Sequence, residues 1–273
     1  MNIKKFISVA AFIFFAAFTL CACQKTEPPV ESTVDADLPK LKIGVDILKP
    51  FFYIDENGNY AGIDADIATE ACRLAGYQPE FIVLSWSERD EQLRAKTVDC
   101  LWTAFIKNGR ENFYLWTDTY LKSNLRAIVD VKSPDQEIQT IPSHTGMAVR
   151  AGSKIEDILM AETDRPSINI YACGTFEMAK TAFIKGYIGA LGGHEAVLNE
   201  VLKDYPGQYR FLDDSIMTAD LGVAFPKDDT TEHWQKINAA IEEMKRTGTI
   251  DKIWADYVSD LPAAKEVSAH AKN

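Results

Sequence analysis

The sequence is short of cysteine and short of basic residues, and each shortage limits what the protein can be. Lys and Arg number 29 against 40 Asp and Glu, which gives a formal net charge of −11. A field of that sign repels a phosphate backbone, and no basic patch offsets it, so we expect no nucleic-acid partner. Only Cys72, Cys100 and Cys173 lie beyond the N-terminal segment, and their spacing is not that of a metal site. We expect them to be buried free thiols.

Motifs of common enzymes are also missing. The sequence has no glycine-rich phosphate loop, no Gly-x-Ser-x-Gly elbow and no His-Glu-x-x-His motif. The histidines are scattered along the chain, at His144, His194, His233 and His270. We therefore expect no catalytic residue, no metal and no cofactor.

One long apolar run is present, and it lies at the N-terminus. Lys4 and Lys5 precede the apolar residues 6–20, and the chain turns polar after Cys23. This order is typical of a secretion signal. The sequence Leu-Cys-Ala-Cys at 20–23 resembles the bacterial lipobox, which implies a lipoprotein signal peptide over residues 1–22 and Cys23 as the lipid anchor on the extracytoplasmic face of the membrane. An ordinary signal peptide cleaved nearby is the alternative.

The folded region lies between two segments without apolar periodicity. Residues 23–39 are acidic and rich in proline, as in a flexible tether, and residues 262–273 read as a tail. Between them, short apolar runs alternate with helical stripes such as Ile67, Ala71 and Leu74, and Gly76 is suited to end that helix. Alternating strands and helices with short joints predict an α/β protein with mostly parallel sheets.

A resemblance to a known family rests on motifs spread over nearly the whole folded region. The sequence Gly-Ile-Asp-Ala-Asp-Ile-Ala at 62–68 resembles the signature of bacterial solute-binding protein family 3, the amino-acid-binding components of ABC importers, although Ala65 stands where the family usually has a larger aliphatic residue. The other landmarks occur in the family's order: Asp46 after the first strand, Ser-Trp at 85–86, Gly-Arg-Glu at 109–111, Trp-Thr-Asp-Thr-Tyr at 116–120 and the closing residues 243–250.

The resemblance implies the two-lobed, type II clamshell of periplasmic binding proteins. Each lobe would be a mostly parallel sheet flanked by helices, and two crossover strands would join the lobes. Lobe 1 would comprise residues 40–127 and 221–261, and lobe 2 residues 128–220. We expect a monomer that closes on a small-molecule ligand.

The resemblance also places ligand contacts in lobe 1. Arg110 follows a strand in a polar loop, where its planar guanidinium can hold a carboxylate by two parallel hydrogen bonds. A surface arginine paired with Glu111 or Asp118 is the alternative. Trp86 and Phe52 follow strand ends, the edge at which open α/β sheets bind ligands, and would stack on the ligand.

Further contacts come from polar positions near strand ends. Thr103 and Ala104 match positions where the family supplies hydroxyl and backbone contacts. In lobe 2, Ser153 is suited to cap a helix whose free N–H groups attract anions. Lys154, in the first turn of that helix, opposes the helix dipole, which points to an anionic ligand. A solvated lysine near acidic neighbours is the alternative.

The largest departure from the family is His194. Amino-acid binders of the family place an aspartate there to neutralise the α-ammonium group. Either Glu195 or Asp46 takes that role, or the ligand is not a standard α-amino acid. A purely structural histidine is the third interpretation.

The leading hypothesis is a lipid-anchored binding protein that delivers a small, amino-acid-like carboxylate to an ABC permease by hinge closure. Two alternatives stay open. One is an enzyme similar to cyclohexadienyl dehydratase, with His194 or Glu195 as acid or base. The other is a module that reports a ligand to a separate signalling partner.

Overall fold

A computed structural model describes residues 38–161 and 168–259 of the chain. The predicted signal peptide at 1–22, Cys23, the tether up to residue 37 and the tail at 262–273 lie outside these residues. Within the described ranges, no helix is long and apolar enough to cross a membrane.

Short strands and helices alternate through the described chain. The strands are β1 Lys40–Val45, β2 Tyr53–Ile54, β3 Tyr60–Ala61, β4 Gln78–Val83, β5 Cys100–Leu101, β6 Tyr114–Trp116, β7 Leu121–Asp130, β8 Met147–Arg150, β9 Ile170–Cys173, β10 Ala190–His194, β11 Tyr209–Phe211, β12 Met217–Leu221 and β13 Ala224–Pro226. The α-helices are α1 Ile63–Ala75, α2 Arg89–Arg94, α3 Lys154–Ala161, α4 Phe176–Ile184, α5 Glu195–Asp204, α6 His233–Arg246 and α7 Thr249–Val258.

The first sheet has the strand order β4-β1-β5-β13-β6. Strand β1 runs parallel to β4 and β5, whereas β13 is antiparallel to β5 and β6. Helix α1 packs on β4 and against α6 and α7. We call this sheet with its helices lobe 1.

The second sheet has the order β11-β7-β10-β8-β9, and β12 also pairs with β7. Strands β8, β9 and β10 are parallel, and β7 is antiparallel to β10, β11 and β12. Helices α4 and α5 pack on this sheet, which we call lobe 2. The predicted two-lobed α/β fold is confirmed. Each sheet also contains a strand that is antiparallel to its neighbours, β13 in lobe 1 and β7 in lobe 2. Strand β7 pairs with lobe 2 strands along its length. The residue boundaries of the lobes given above, 40–127 and 221–261 for lobe 1 and 128–220 for lobe 2, stay predictions.

Helix α1 shows how sequence fixes local structure near the cleft. Its first residue follows Gly62, whose φ of 123° is open to glycine alone, and a Cβ there would lie 2.4 Å from the Phe51 carbonyl oxygen. The carboxylate of Asp64 in the first turn accepts hydrogen bonds from the Ala104 backbone N–H at 2.6 Å and the Tyr120 hydroxyl at 2.9 Å. The helix start is thereby tied to the chain that follows β5.

The three described cysteines differ in burial. Cys72 and Cys100 are buried, as expected, and burial raises the pKa of Cys72 to about 12. The expectation is wrong for Cys173, which is half-buried at the end of β9. All three are free thiols.

Candidate functional site

A narrow cleft with a free volume of about 30 Å³ lies between the two lobes. Its walls come from residues of β7, β8 and β10 and from loops and helices that follow strands, near the usual ligand edge of α/β sheets. The lining residues are Leu48, Trp86, Ala104, Phe105, Ile106, Arg110, Leu125, Arg150, Ser153, Lys154, Ile155, Phe176, Gly192, Gly193, His194 and Val197.

Arg110 reaches across this cleft from lobe 1. Its Nη2 donates to the Asp157 carboxylate at 2.7 Å and to the Gly152 carbonyl at 3.3 Å, both in lobe 2. Its guanidinium lies 5.4 Å from the centre of the Phe105 ring, and only 8% of the residue is exposed. Burial and the neighbouring Arg89 lower the pKa of Arg110. Neither of the surface partners considered above, Glu111 or Asp118, holds it; the carboxylate partner is Asp157.

Trp86 lines the cleft together with Phe105. The two rings meet edge to face at 5.0 Å. Two guanidinium groups lie over the Trp86 ring, Arg150 at 4.9 Å and Arg89 at 5.5 Å from its centre. Cations stacked on this face make it a surface that is both apolar and positively charged.

Arg150, at the end of β8, is a cleft residue that sequence reasoning missed. Its Nη1 donates to the Asp46 carboxylate at 2.7 Å, and the two side chains are 7% and 10% exposed. Burial raises the pKa of Asp46 even though the Arg150 guanidinium opposes the shift, and burial lowers the pKa of Arg150. The available signal was position, since Arg150 ends a strand just before the Gly-Ser-Lys loop.

His194 lines the cleft from the end of β10. Its Nδ1 lies 3.0 Å from the Ser123 hydroxyl, and its ring meets the edge of Phe51 at 5.4 Å. Burial, and next the nearby Arg150, lower the pKa of His194 to about 3. The imidazole is therefore neutral near pH 7 and carries one donor and one acceptor nitrogen.

Ser153 and Lys154 also line the cleft from lobe 2, where α3 begins. The Ser153 hydroxyl accepts a long hydrogen bond, 3.4 Å, from the backbone N–H of Glu156. The Glu156 carboxylate accepts from the Gly152 N–H at 2.6 Å, so this amide of the predicted anion loop already has a partner. Lys154 extends toward lobe 1, where a Cβ added to Gly109 would lie 2.8 Å from its Nζ.

Four of the predicted contacts are not among the residues that line the cleft: Asp46, Phe52, Thr103 and Glu195. Phe52 lies fully buried in lobe 1 against Tyr60 and Phe81, because the chain turns between it and Phe51, so it does not contact the cleft.

Thr103 lies beneath the cleft wall, where its hydroxyl accepts from the Asp46 N–H at 3.2 Å. Ala104 does line the cleft, but its N–H is bonded to Asp64 and is not free for a ligand. The Glu195 carboxylate accepts from Asn124 at 3.0 Å and Arg126 at 3.4 Å.

Comparison with curated proteins finds amino-acid-binding relatives. The putative ABC transporter arginine-binding protein 2 of Escherichia coli K12 is 26% identical, over 75% of this chain and 84% of that protein. The lysine/arginine/ornithine-binding periplasmic protein of the same organism is 25% identical, over 81% of this chain and 89% of that protein.

Comparison with solved structures agrees on the fold. An ancestral arginine-binding protein bound to arginine superposes with a TM-score of 0.74 at 22% identity, covering 80% of this chain and 98% of that one. The arginine-, lysine-, histidine-binding protein ArtJ from Geobacillus stearothermophilus gives a TM-score of 0.72 at 22% identity, covering 82% and 97%. The family model of the bacterial extracellular solute-binding proteins, family 3, matches residues 41–260, and the chain belongs to that family.

Proposed function

We propose that the protein is the substrate-binding component of an ABC importer, anchored by lipid at Cys23 outside the cytoplasm, and that it binds a small carboxylate by closing its two lobes. The observation that carries this proposal is the position of Arg110. A buried guanidinium from lobe 1 already holds a carboxylate oxygen and a carbonyl oxygen of lobe 2 across the cleft. A ligand carboxylate presents the same oxygens, and arginine binds them with two charge-assisted hydrogen bonds.

In the proposed mechanism, the open and closed forms of the protein make different contacts with the ligand. Ligand bound to Arg110 and Trp86 in an open form gains contacts to Arg150 and Ser153 only when lobe 2 closes. A ligand shifts an equilibrium by its differential affinity for the two states, so these added contacts favour the closed form. A permease that recognises the closed form would then receive only loaded protein.

The alternative of a dehydratase-like enzyme finds less support. Glu195, one of its candidate acids, is bonded to Asn124 and Arg126, and no observation aims it at a ligand. The curated relatives cited above are named as binding proteins.

Arg110→Ala tests the carboxylate site. The full-length lipoprotein, purified in detergent, is titrated calorimetrically with a panel of amino acids and related carboxylates. Loss of one charged, buried partner is expected to weaken binding about 100-fold. Arg246→Ala, an exposed arginine of α6 paired with Glu243, is the matched control and should bind as wild type does. Equal affinities of wild type and Arg110→Ala would contradict the proposal.

The lipid anchor is tested separately. Cys23→Ala should abolish acylation, measured as loss of incorporated radiolabelled fatty acid, whereas Cys21→Ala should retain it. A Cys23→Ala variant that still incorporates the label would contradict the assignment of Cys23.

A further inference from the structure

The charged side chains that line the cleft all have one sign. Three lining residues are cationic, Arg110, Arg150 and Lys154, and among the described lining residues none is Asp or Glu. The neighbouring carboxylates are already engaged. Asp46 is bonded to Arg150 and Asp157 to Arg110, each at 2.7 Å.

Glu156, behind the loop of lobe 2, accepts the Gly152 N–H and is likewise engaged. A positively charged ligand group entering the cleft would therefore meet cations. The carboxylate that a ligand can displace from Arg110, Asp157, is 47% exposed and is not among the lining residues. Burying an ammonium or guanidinium without a carboxylate partner is strongly unfavourable.

The remaining polar wall of the cleft is neutral. His194 carries no charge near pH 7 because burial lowers its pKa, and its Nδ1 is engaged with the Ser123 hydroxyl. A neutral imidazole can exchange one hydrogen bond with a carbonyl or hydroxyl group of a ligand. It cannot neutralise an ammonium group.

The rest of the lining is apolar and comes from both lobes. It comprises Leu48, Ile106, Leu125, Ile155, Phe176 and Val197, beside the Trp86 and Phe105 rings. Small-ligand sites combine such an apolar lining with a few polar groups that fix orientation.

We propose that the ligand is a small carboxylate with an apolar body and without any positively charged group, of the class of branched-chain or aromatic 2-oxo acids. This inference rests on the proposed function and names its ligand class. Arg110 and Arg150 hold the carboxylate end, His194 contacts an uncharged oxygen, and the aliphatic and aromatic wall covers the body. The basic amino acids named for the relatives do not belong to this class.

Matched ligand pairs test the inference directly. The full-length lipoprotein in detergent is titrated at pH 7 with L-leucine against 4-methyl-2-oxopentanoate, with L-phenylalanine against phenylpyruvate, and with L-arginine. Each pair shares a carbon skeleton and differs in the α-ammonium group. We expect the oxo acid of at least one pair to bind about tenfold or more tightly than its amino acid, and L-arginine to bind no better than the amino acids of the pairs.

His194→Asp then reverses the electrostatic difference. A carboxylate at this wall gives an ammonium group a partner, so the preference for the oxo acid should fall by about tenfold or invert. His144→Asp adds the same charge at an exposed loop outside the cleft and should leave the preference unchanged. Thermal unfolding checks that both variants fold; should His194→Asp fail to fold, the wild-type pairs alone decide.

The possible results separate the two proposals. Equal or tighter binding of the amino acids, or tight binding of L-arginine, would overturn the ligand class and leave the binding function standing, provided that Arg110→Ala abolishes it. Absence of binding by every probe and by the wider carboxylate panel would overturn the carboxylate-binding function, and this inference with it.

Discussion

Two ion pairs cross the cleft with the same length and very different surroundings. Arg110 to Asp157 and Arg150 to Asp46 are both 2.7 Å, but Asp157 is 47% exposed and Asp46 only 10%. An exposed carboxylate can return to water at little cost, whereas a buried one cannot. We infer that Arg110 can exchange Asp157 for a ligand, while Arg150 and Asp46 stay together as part of the wall.

Removing the buried charge should have the largest effect on stability. Asp46→Asn leaves Arg150 buried without a counter-charge, and we expect a loss of about 3–5 kcal/mol in the free energy of unfolding. Asp157→Asn is the matched change in the exposed pair and should cost less than about 1 kcal/mol. Urea unfolding followed by tryptophan fluorescence measures both. Equal losses would show that exposure does not distinguish the two pairs.

A third carboxylate sharpens the comparison because its partners are neutral. Asp64 accepts from the Ala104 N–H and the Tyr120 hydroxyl, and burial raises its pKa from 3.8 to about 7. A raised folded-state pKa means that its contribution to stability is complete below about pH 4 and is lost as the pH rises through about 7.

Asp64→Asn keeps an uncharged side chain of the same size and should remove this pH dependence. Wild type is expected to lose stability relative to the variant as the pH rises from about 4 to about 7, as measured by thermal unfolding. His194 acts in the opposite direction, since its lowered pKa makes stability fall as the pH drops below 6.5. Both proteins share that effect, so it cancels in their difference. Parallel curves would contradict the shift at Asp64.

The exposed pair should affect ligand affinity more than stability. Asp157→Asn removes a carboxylate that competes for Arg110, so we expect carboxylate affinity to rise by about threefold to tenfold in calorimetric titration. Weaker binding would show instead that Asp157 positions the guanidinium for the ligand.

The smallest effect is expected at a third pair between the lobes. Lys49 Nζ lies 2.7 Å from the Glu200 carboxylate, with side chains 56% and 12% exposed. Lys49→Gln should change stability by less than about 1 kcal/mol, and the difference should shrink in 0.5 M salt. A larger loss of stability that does not depend on salt would show that this pair behaves like the buried pair of Arg150 and Asp46.

Sequence alone could locate the residues whose position depends on a local pattern. Five candidate residues that lie at or after strand ends line the cleft, and their contact with a ligand stays a prediction: Trp86, Arg110, Ser153, Lys154 and His194. Strand ends are visible as the point where an apolar run turns polar, so these placements follow from short segments.

Residues whose environment depends on distant partners could not be placed in this way. Arg150 and Asp46 are bonded although they lie 104 positions apart in the sequence, and no local pattern predicts that pair. Phe51 and Phe52 are both fully buried, so hydrophobicity could not decide which one approaches His194. The first half of strand β7, from Leu121, alternates between buried and more exposed residues, so no continuous apolar run marks where the strand begins.

The signature motif of the family lies under the cleft wall. Its central carboxylate, Asp64, is buried, accepts from the Ala104 N–H and the Tyr120 hydroxyl, and is not itself among the residues that line the cleft. These hydrogen bonds stabilise the fold whichever ligand is bound. The motif therefore identifies the fold and carries no information about the ligand. Family membership can therefore be inferred from this motif in a new sequence, whereas the ligand has to be inferred from cleft residues such as Arg150 and His194.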